Sequence, residues 1–161
     1  MISAAVVGCL FLLWQSSMGY GDEWMGILKK DTGYAFSGFE GQLLYKGEPA
    51  AGAEMTRTWD LFGDKGEDTV VADSEGNFKF DSVVVKFRTP LLAAFDFLAH
   101  QAIQVKFGEE SYQIWGGGKV SKEEYYEFNG MPKNFYCEVT EPPRRVDTAS
   151  SGFVVTNCHW K

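Results

Sequence analysis

Side chains that could carry out chemistry are sparse in this sequence, and their spacing argues against catalysis. A hydrolase needs a nucleophile with a base, a pair of carboxylates or a metal. The chain has two histidines. His100 follows a segment with helical spacing and suits a helix end better than it suits a general base. His159 adjoins Cys158 in the last strand-like run, where a structural role is expected. No G-x-S-x-G, H-E-x-x-H or C-x-x-C motif occurs. The carboxylates Asp60, Asp64, Glu67 and Asp68, with Asp73 further on, gather in one stretch. Their spacing is not that of a calcium loop, which needs alternating Asp or Asn followed by Gly. A solvated acidic loop is the expectation, with no metal and no cofactor.

The cysteines point elsewhere. There are three, and Cys9 lies in an apolar N-terminal run. Cys137 and Cys158 remain as an even pair, for which a disulfide is expected in an exported chain. Each sits in a strand-like run, Asn134–Thr140 and Phe153–Trp160. Antiparallel pairing of those runs would bring the two Cα atoms within bridging distance. Closing a loop of about 20 residues is worth roughly 3 kcal/mol on chain-entropy reasoning. Two thiols beside one His159, with no fourth ligand at the usual spacing, make a poor zinc site.

Binding chemistry is better represented. Trp59, Leu61 and Phe62 stand in the acidic stretch with Asp60, Asp64, Glu67 and Asp68. Apolar groups among charges are costly to leave wet and are enriched at interface centres. The same residues could equally tuck beneath the loop as a satellite of the core. Trp115, beside Gly116-Gly117-Gly118, carries the same two readings. A flat sugar-stacking surface of Trp59, Trp115 and Tyr125 is a further alternative.

The elements that must hold these residues follow from composition and pattern. A chain of 161 residues, 16% aromatic, is long enough for one sizeable core. Its formal charge of −7 argues against nucleic acid and anionic membrane surfaces as partners, since either would need a basic patch. The first 21 residues carry no charged side chain. Ala4–Trp14 has the length of a signal-peptide core and is short for a membrane span. Ser17-Met18-Gly19 and Gly19-Tyr20-Gly21 both offer small residues for cleavage. A basic n-region is missing apart from the amino terminus. Val6-Val7-Gly8-Cys9 also matches a loose lipoprotein box, although the apolar run continues past Cys9. The expected organisation is an export-signal-like segment over 1–21 and a single domain over 22–161. Membrane contact is expected only through an uncleaved signal or a lipidated Cys9.

Residues 22–34 read as an irregular arm or a short helix around Glu23–Lys30. Gly38–Lys46, Gly52–Asp60, Thr69–Ala72 and Asn77–Val84 alternate in polarity between Gly, Pro, Asn and Asp turns, the pattern of antiparallel strands. Phe39, Gly41, Leu43 and Tyr45 share one face of the first, Phe78, Phe80 and Ser82 one face of the last. After a Thr89-Pro90 start, Leu91, Leu92, Phe95 and Leu98 repeat at helical spacing, predicting a short helix near 90–99. Gln101–Phe107 and Ser111–Trp115 read as a hairpin and the three glycines as the most flexible point. Lys122–Asn129 reads as an edge strand, and Glu141–Arg145 as a loop. The fold class is mainly all-β, an antiparallel β-sandwich of seven to nine strands with one short helix.

The central stretch, with Lys46-Gly47-Glu48-Pro49-Ala50-Ala51-Gly52-Ala53 and then Asp73-Ser74-Glu75-Gly76-Asn77-Phe78-Lys79-Phe80, resembles the transthyretin-like or carboxypeptidase-regulatory-like sandwich. In that superfamily a G-x-P-x-x-G-A turn joins the first strands and a D-x-x-G-x-F turn opens a later one. Departing from the hydrolytic branch, which ends Tyr-Arg-Gly-Ser, this chain ends Cys158-His159-Trp160-Lys161. The Gln113-Ile114-Trp115 strand, the Tyr125-Tyr126-Glu127-Phe128-Asn129-Gly130 segment and the Cys137 and Cys158 strands are similar to small exported Gram-negative proteins with this sandwich. Some of those act beside type VI secretion effectors, including phospholipases, as immunity proteins. The resemblance implies a periplasmic, non-enzymatic inhibitor whose partner is a secreted effector protein such as a lipase. The alternative is a structural or carbohydrate-associated envelope module.

Overall fold

The computed structural model describes residues 28–90, 96–149 and 152–161. Strands in chain order are β1 (Leu28–Phe36), β2 (Phe39–Tyr45), β3 (Glu48–Pro49), β4 (Glu54–Leu61), β5 (Asp64–Val71), β6 (Asn77–Phe80) and β7 (Val83–Pro90). They continue as β8 (Ala99–Phe107), β9 (Glu110–Lys119), β10 (Tyr136–Glu138), β11 (Arg144–Asp147), β12 (Phe153–Thr156) and β13 (Cys158–His159). A six-stranded antiparallel sheet runs β11-β12-β9-β8-β4-β5. A second sheet runs β13-β10-β2-β3 with β6 also on β2. Its β10–β2 pairing is parallel. β1 and β7 form a separate two-stranded ribbon.

The two larger sheets face each other across an aromatic interior. Phe39 and Leu43 of β2 and Phe78 and Phe80 of β6 meet Met55, Ile103, Val105, Trp115 and Val154 of the six-stranded sheet. Alternation puts these side chains on one face of each strand, and removing them from water drives the layers together. Cys137 and Cys158 are directly paired residues of β10 and β13 and are bridged, with Cα atoms 3.9 Å apart. A smaller cluster of Ala35, Leu61, Val85, Phe97 and Ala99 lies where the ribbon packs on β4 and β8.

Several expectations are corrected. The acidic loop after Trp59 is a hairpin: β5 begins at Asp64, five residues before the expected Thr69, and only Phe62-Gly63 turns. Asn77–Val84 is not one strand, because Asp81-Ser82 breaks it into β6 and β7. From Leu28 onward the expected arm or helix is strand, and the rest of it lies outside the described residues. The ends of the 90–99 helix are strand, with Pro90 in β7 and Ala99 in β8, and Asp96–Leu98 has no regular structure. Residues 91–95 of it lie outside the described residues, and His100 is a strand residue of β8.

Gly116, Gly117 and Gly118 are not a flexible point. They pair with β8 on one side and β12 on the other. A Cβ at Gly117 would lie 2.6 Å from the Phe153 carbonyl oxygen and 3.0 Å from the Val154 Cα, so close strand packing requires glycine there. Lys122–Asn129 is not an edge strand either. It turns through a 3-10 segment, Tyr126–Phe128, between Tyr125 and Asn129 in left-handed conformations. The expected Glu141–Arg145 loop is shorter, since β11 starts at Arg144.

Candidate functional site

The acidic and aromatic residues singled out by sequence lie on the β4–β5 hairpin. Its turn, Phe62-Gly63, has φ of 55° and 85°. Two positive φ values match the turn to the sheet twist, and Asn-Gly or Asp-Gly is the usual choice. A bulky residue at positive φ is an outlier. The Asp60 carboxylate accepts the Gly63 N–H at 2.9 Å and lies 3.3 Å from the Lys65 ammonium. The Gly63 bond, then Lys65 and neighbouring His100, hold the Asp60 carboxyl below the usual range against the cost of desolvation.

The predicted set does not stay together. Cross-strand pairing puts Met55, Arg57, Trp59 and Leu61 on the inner face of β4, and Glu54, Thr56, Thr58 and Asp60 on the outer. Leu61 is buried in the smaller cluster and Trp115 is fully buried in the main core. Both are therefore interior residues, not contact residues. A sugar-stacking surface that needs Trp115 is thereby removed. Trp59 is half-buried, its ring over Gly66, where an added Cβ would come within 2.3 Å of it.

Asp68 has a structural duty. Its carboxylate takes the Arg57 Nε at 2.9 Å and an Nη from the same guanidinium. Arg57 is fully buried, donates also to the carbonyls of Ser37 and Asp81, and lies 4.6 Å over the Phe80 ring. A buried cation is tolerable only when paired and hydrogen-bonded in this way.

What remains outward is compact. Phe62 is 52% exposed at the tip while touching the Phe87 and Phe97 rings at 5.9 and 6.2 Å. Asp64 and Glu67 are exposed and Asp60 partly so. Thr58, Asp60, Lys65, Glu67, His100 and Ala102 line a shallow depression of about 470 Å³ on the outer face. Asp60 is engaged within its own hairpin. His159 is 2.8 Å from the Glu141 carboxylate and stacked on Tyr136. Among the described residues no group of three or more His, Cys, Asp or Glu side chains could hold a metal ion.

One constellation has no signature in the sequence. Ser37, Lys119 and Glu127 are fully buried. The Lys119 Nζ lies 2.8 Å from Glu127 Oε2 and 3.1 Å from the Ser37 Oγ. A lysine beside a serine can activate it. Here the Ser37 hydroxyl donates to Glu127 and accepts the Tyr125 N–H. The same carboxylate takes the Ser37 N–H and the Gln101 amide, whose oxygen accepts the Trp115 indole N–H. Burial pushes the Lys119 ammonium down, and Glu127 opposes that. These side chains are buried and bonded to one another, so the cluster ties the end of β1, β8, β9 and the 3-10 turn together. Lys119 closes a Gly-rich run and Glu127 sits among aromatics, so neither shows the alternation that would predict burial.

No curated protein and no solved structure matches the sequence. A family model described as a domain of unknown function, DUF6795, matches residues 39–142, from β2 to just beyond β10, and the chain belongs to that family.

Proposed function

We propose that this protein is a binding module, not an enzyme, which docks on a partner protein through the tip and outer edge of the β4–β5 hairpin. The partner is a secreted effector, such as a lipase, that this protein blocks in the periplasm. Phe62 carries the reading. A phenylalanine held at positive φ and half-exposed occupies a turn where asparagine would cost less. Strain retained at an exposed aromatic is characteristic of a contact residue. Asp64 next to the turn and Glu67 further along β5 are exposed acids of the same hairpin, which favours a basic rim on the partner. The scaffold behind is stiff: Arg57 fastens the root of the hairpin, and the disulfide closes the opposite sheet. Rigid scaffolds that present short surface segments are a common way to block an enzyme's entrance. The effector class and the compartment come from the sequence resemblance; the disulfide is compatible with an oxidising compartment.

The deciding experiment measures activity of a candidate effector, first that of the neighbouring gene's product, with and without the purified protein. Stoichiometric loss of activity, relieved by Phe62→Ala, is expected. Undiminished activity at excess inhibitor would remove the reading.

A further inference from the structure

We propose that the outward face of the β1–β7 ribbon is a docking surface for anionic phospholipid, independent of the hairpin reading. Register places Lys30 directly opposite Arg88, and Thr32 directly opposite Lys86. Directly paired residues point to the same side, so Lys30, Lys86 and Arg88 share one face with Thr32, and all four are exposed. Asp31 points to the other face, where its carboxylate meets the Lys122 ammonium at 2.8 Å. Among the described residues no carboxylate lies within ion-pair distance of Lys30, Lys86 or Arg88.

Like charges directly opposite on a ribbon repel. A chain with net charge −7 has many acids that could relieve this, and none among the described residues is placed there. Exposed Leu28 and Val84 lie on the same face, giving the mixture of cations and apolar groups that suits a lipid headgroup layer. A depression of about 400 Å³ lined by Lys30, Thr32, Lys86 and Arg88, with Asp31 and Phe87 also at its wall, has room for a phosphate, and the Asp31 carboxylate is engaged by Lys122. The location agrees. The ribbon begins where the chain leaves the first 27 residues, which contain the apolar run Ala4–Trp14. A surface that follows that run closely along the chain is held near a bilayer if the run enters one, and the cations then hold the sandwich in a fixed orientation. Net charge alone argues against such contact; the distribution of charge is what permits it.

The test is co-sedimentation of the full chain with phosphatidylcholine vesicles, with and without phosphatidylglycerol. The apolar N-terminal segment contributes equally to both and cancels in the comparison. The wild-type chain should favour the anionic vesicles, and raised salt should abolish the preference. K30Q/K86Q/R88Q should lose roughly a hundredfold of it, about fivefold for each cation. The control K65Q/K79Q/K106Q changes net charge equally and should retain it. Unchanged thermal unfolding of both triples shows that the folds are intact, as expected for exposed sites. Equal partitioning to the two vesicle types, equal loss in both triples, or capture by a short RNA with none by vesicles would each overturn the proposal.

Discussion

The β4–β5 hairpin and the β1–β7 ribbon are both antiparallel pairs of long strands, both charged, and they manage charge in opposite ways. In the hairpin, acids find partners nearby: Asp60 has Gly63 and Lys65, and Asp68 has Arg57. Glu54, Asp64 and Glu67 remain outward, Asp64 closest to the Phe62 turn. In the ribbon the single acid, Asp31, is turned inward to Lys122, and three cations face outward with no carboxylate among the described residues within ion-pair distance. The hairpin is fastened by a buried guanidinium, the ribbon by a surface ammonium. A protein's net charge therefore says little about where its uncompensated charge lies.

The sharpest way to break this comparison is at the root of the hairpin. Arg57→Met leaves Asp68 and two carbonyls without their donor inside the fold, and should cost on the order of 3 kcal/mol in urea unfolding. If Arg57→Met left the midpoint unmoved, the hairpin would not be anchored as described. Next comes the tip. Phe62→Ala should weaken partner binding by about 2 kcal/mol, close to thirtyfold by calorimetry. Its effect on stability should stay under about 1 kcal/mol, because relief of backbone strain and loss of ring contacts oppose each other.

A turn of similar backbone gives a smaller, pH-dependent contrast. Lys46-Gly47, at φ of 54° and 81°, donates both N–H groups to the Glu138 carboxylate, which Thr140 also contacts through N–H and hydroxyl. Burial alone would raise the Glu138 carboxyl. The bonds from Thr140, Gly47 and Lys46 outweigh burial and hold it below its ordinary value. The folded state thus binds the proton less readily than the unfolded chain. This stabilisation is complete above the ordinary carboxylate range and is lost as pH falls through the lowered folded value. Glu138→Gln should cost about 1 kcal/mol at neutral pH and flatten the acid limb of a stability–pH profile. The smallest effect is expected in the ribbon: Lys122→Ala, at a partly exposed ion pair, should shift the unfolding midpoint far less than Arg57→Met. A shift of equal size would erase the distinction between the two anchorages.

Much of the architecture was legible. β2, β4, β6 and β8 alternate because one face of each is buried in the core, whereas β9 buries Ile114 and Trp115 in succession where its register with β8 shifts. The Cys137–Cys158 bond followed from an even pair in strand-like runs. β5 was hidden because its inward positions are Gly66, Asp68 and Val70, and the first two look like loop. They are inward because Trp59 covers the glycine and Arg57 neutralises the aspartate. The triple glycine misled for the converse reason, since close strands, not turns, needed the missing side chains. Of the predicted contact residues, Trp115 and Leu61 were drawn into the interior by the apolar surface that made them conspicuous. The cationic face leaves no mark in the sequence, because Lys30 and Arg88 are far apart in the chain and become neighbours only by pairing.

The parallel seam between β2 and β10 also bears on how the molecule assembles. These strands come from opposite ends of the chain, so their pairing must await nearly everything between them, and high contact order slows folding. Cys137 and Cys158 are only 21 residues apart, and their bond can join β10 to β13 beforehand. Oxidation thus turns two late arrivals into one prefabricated edge that docks once on β2, and refolding under reducing conditions should be slower.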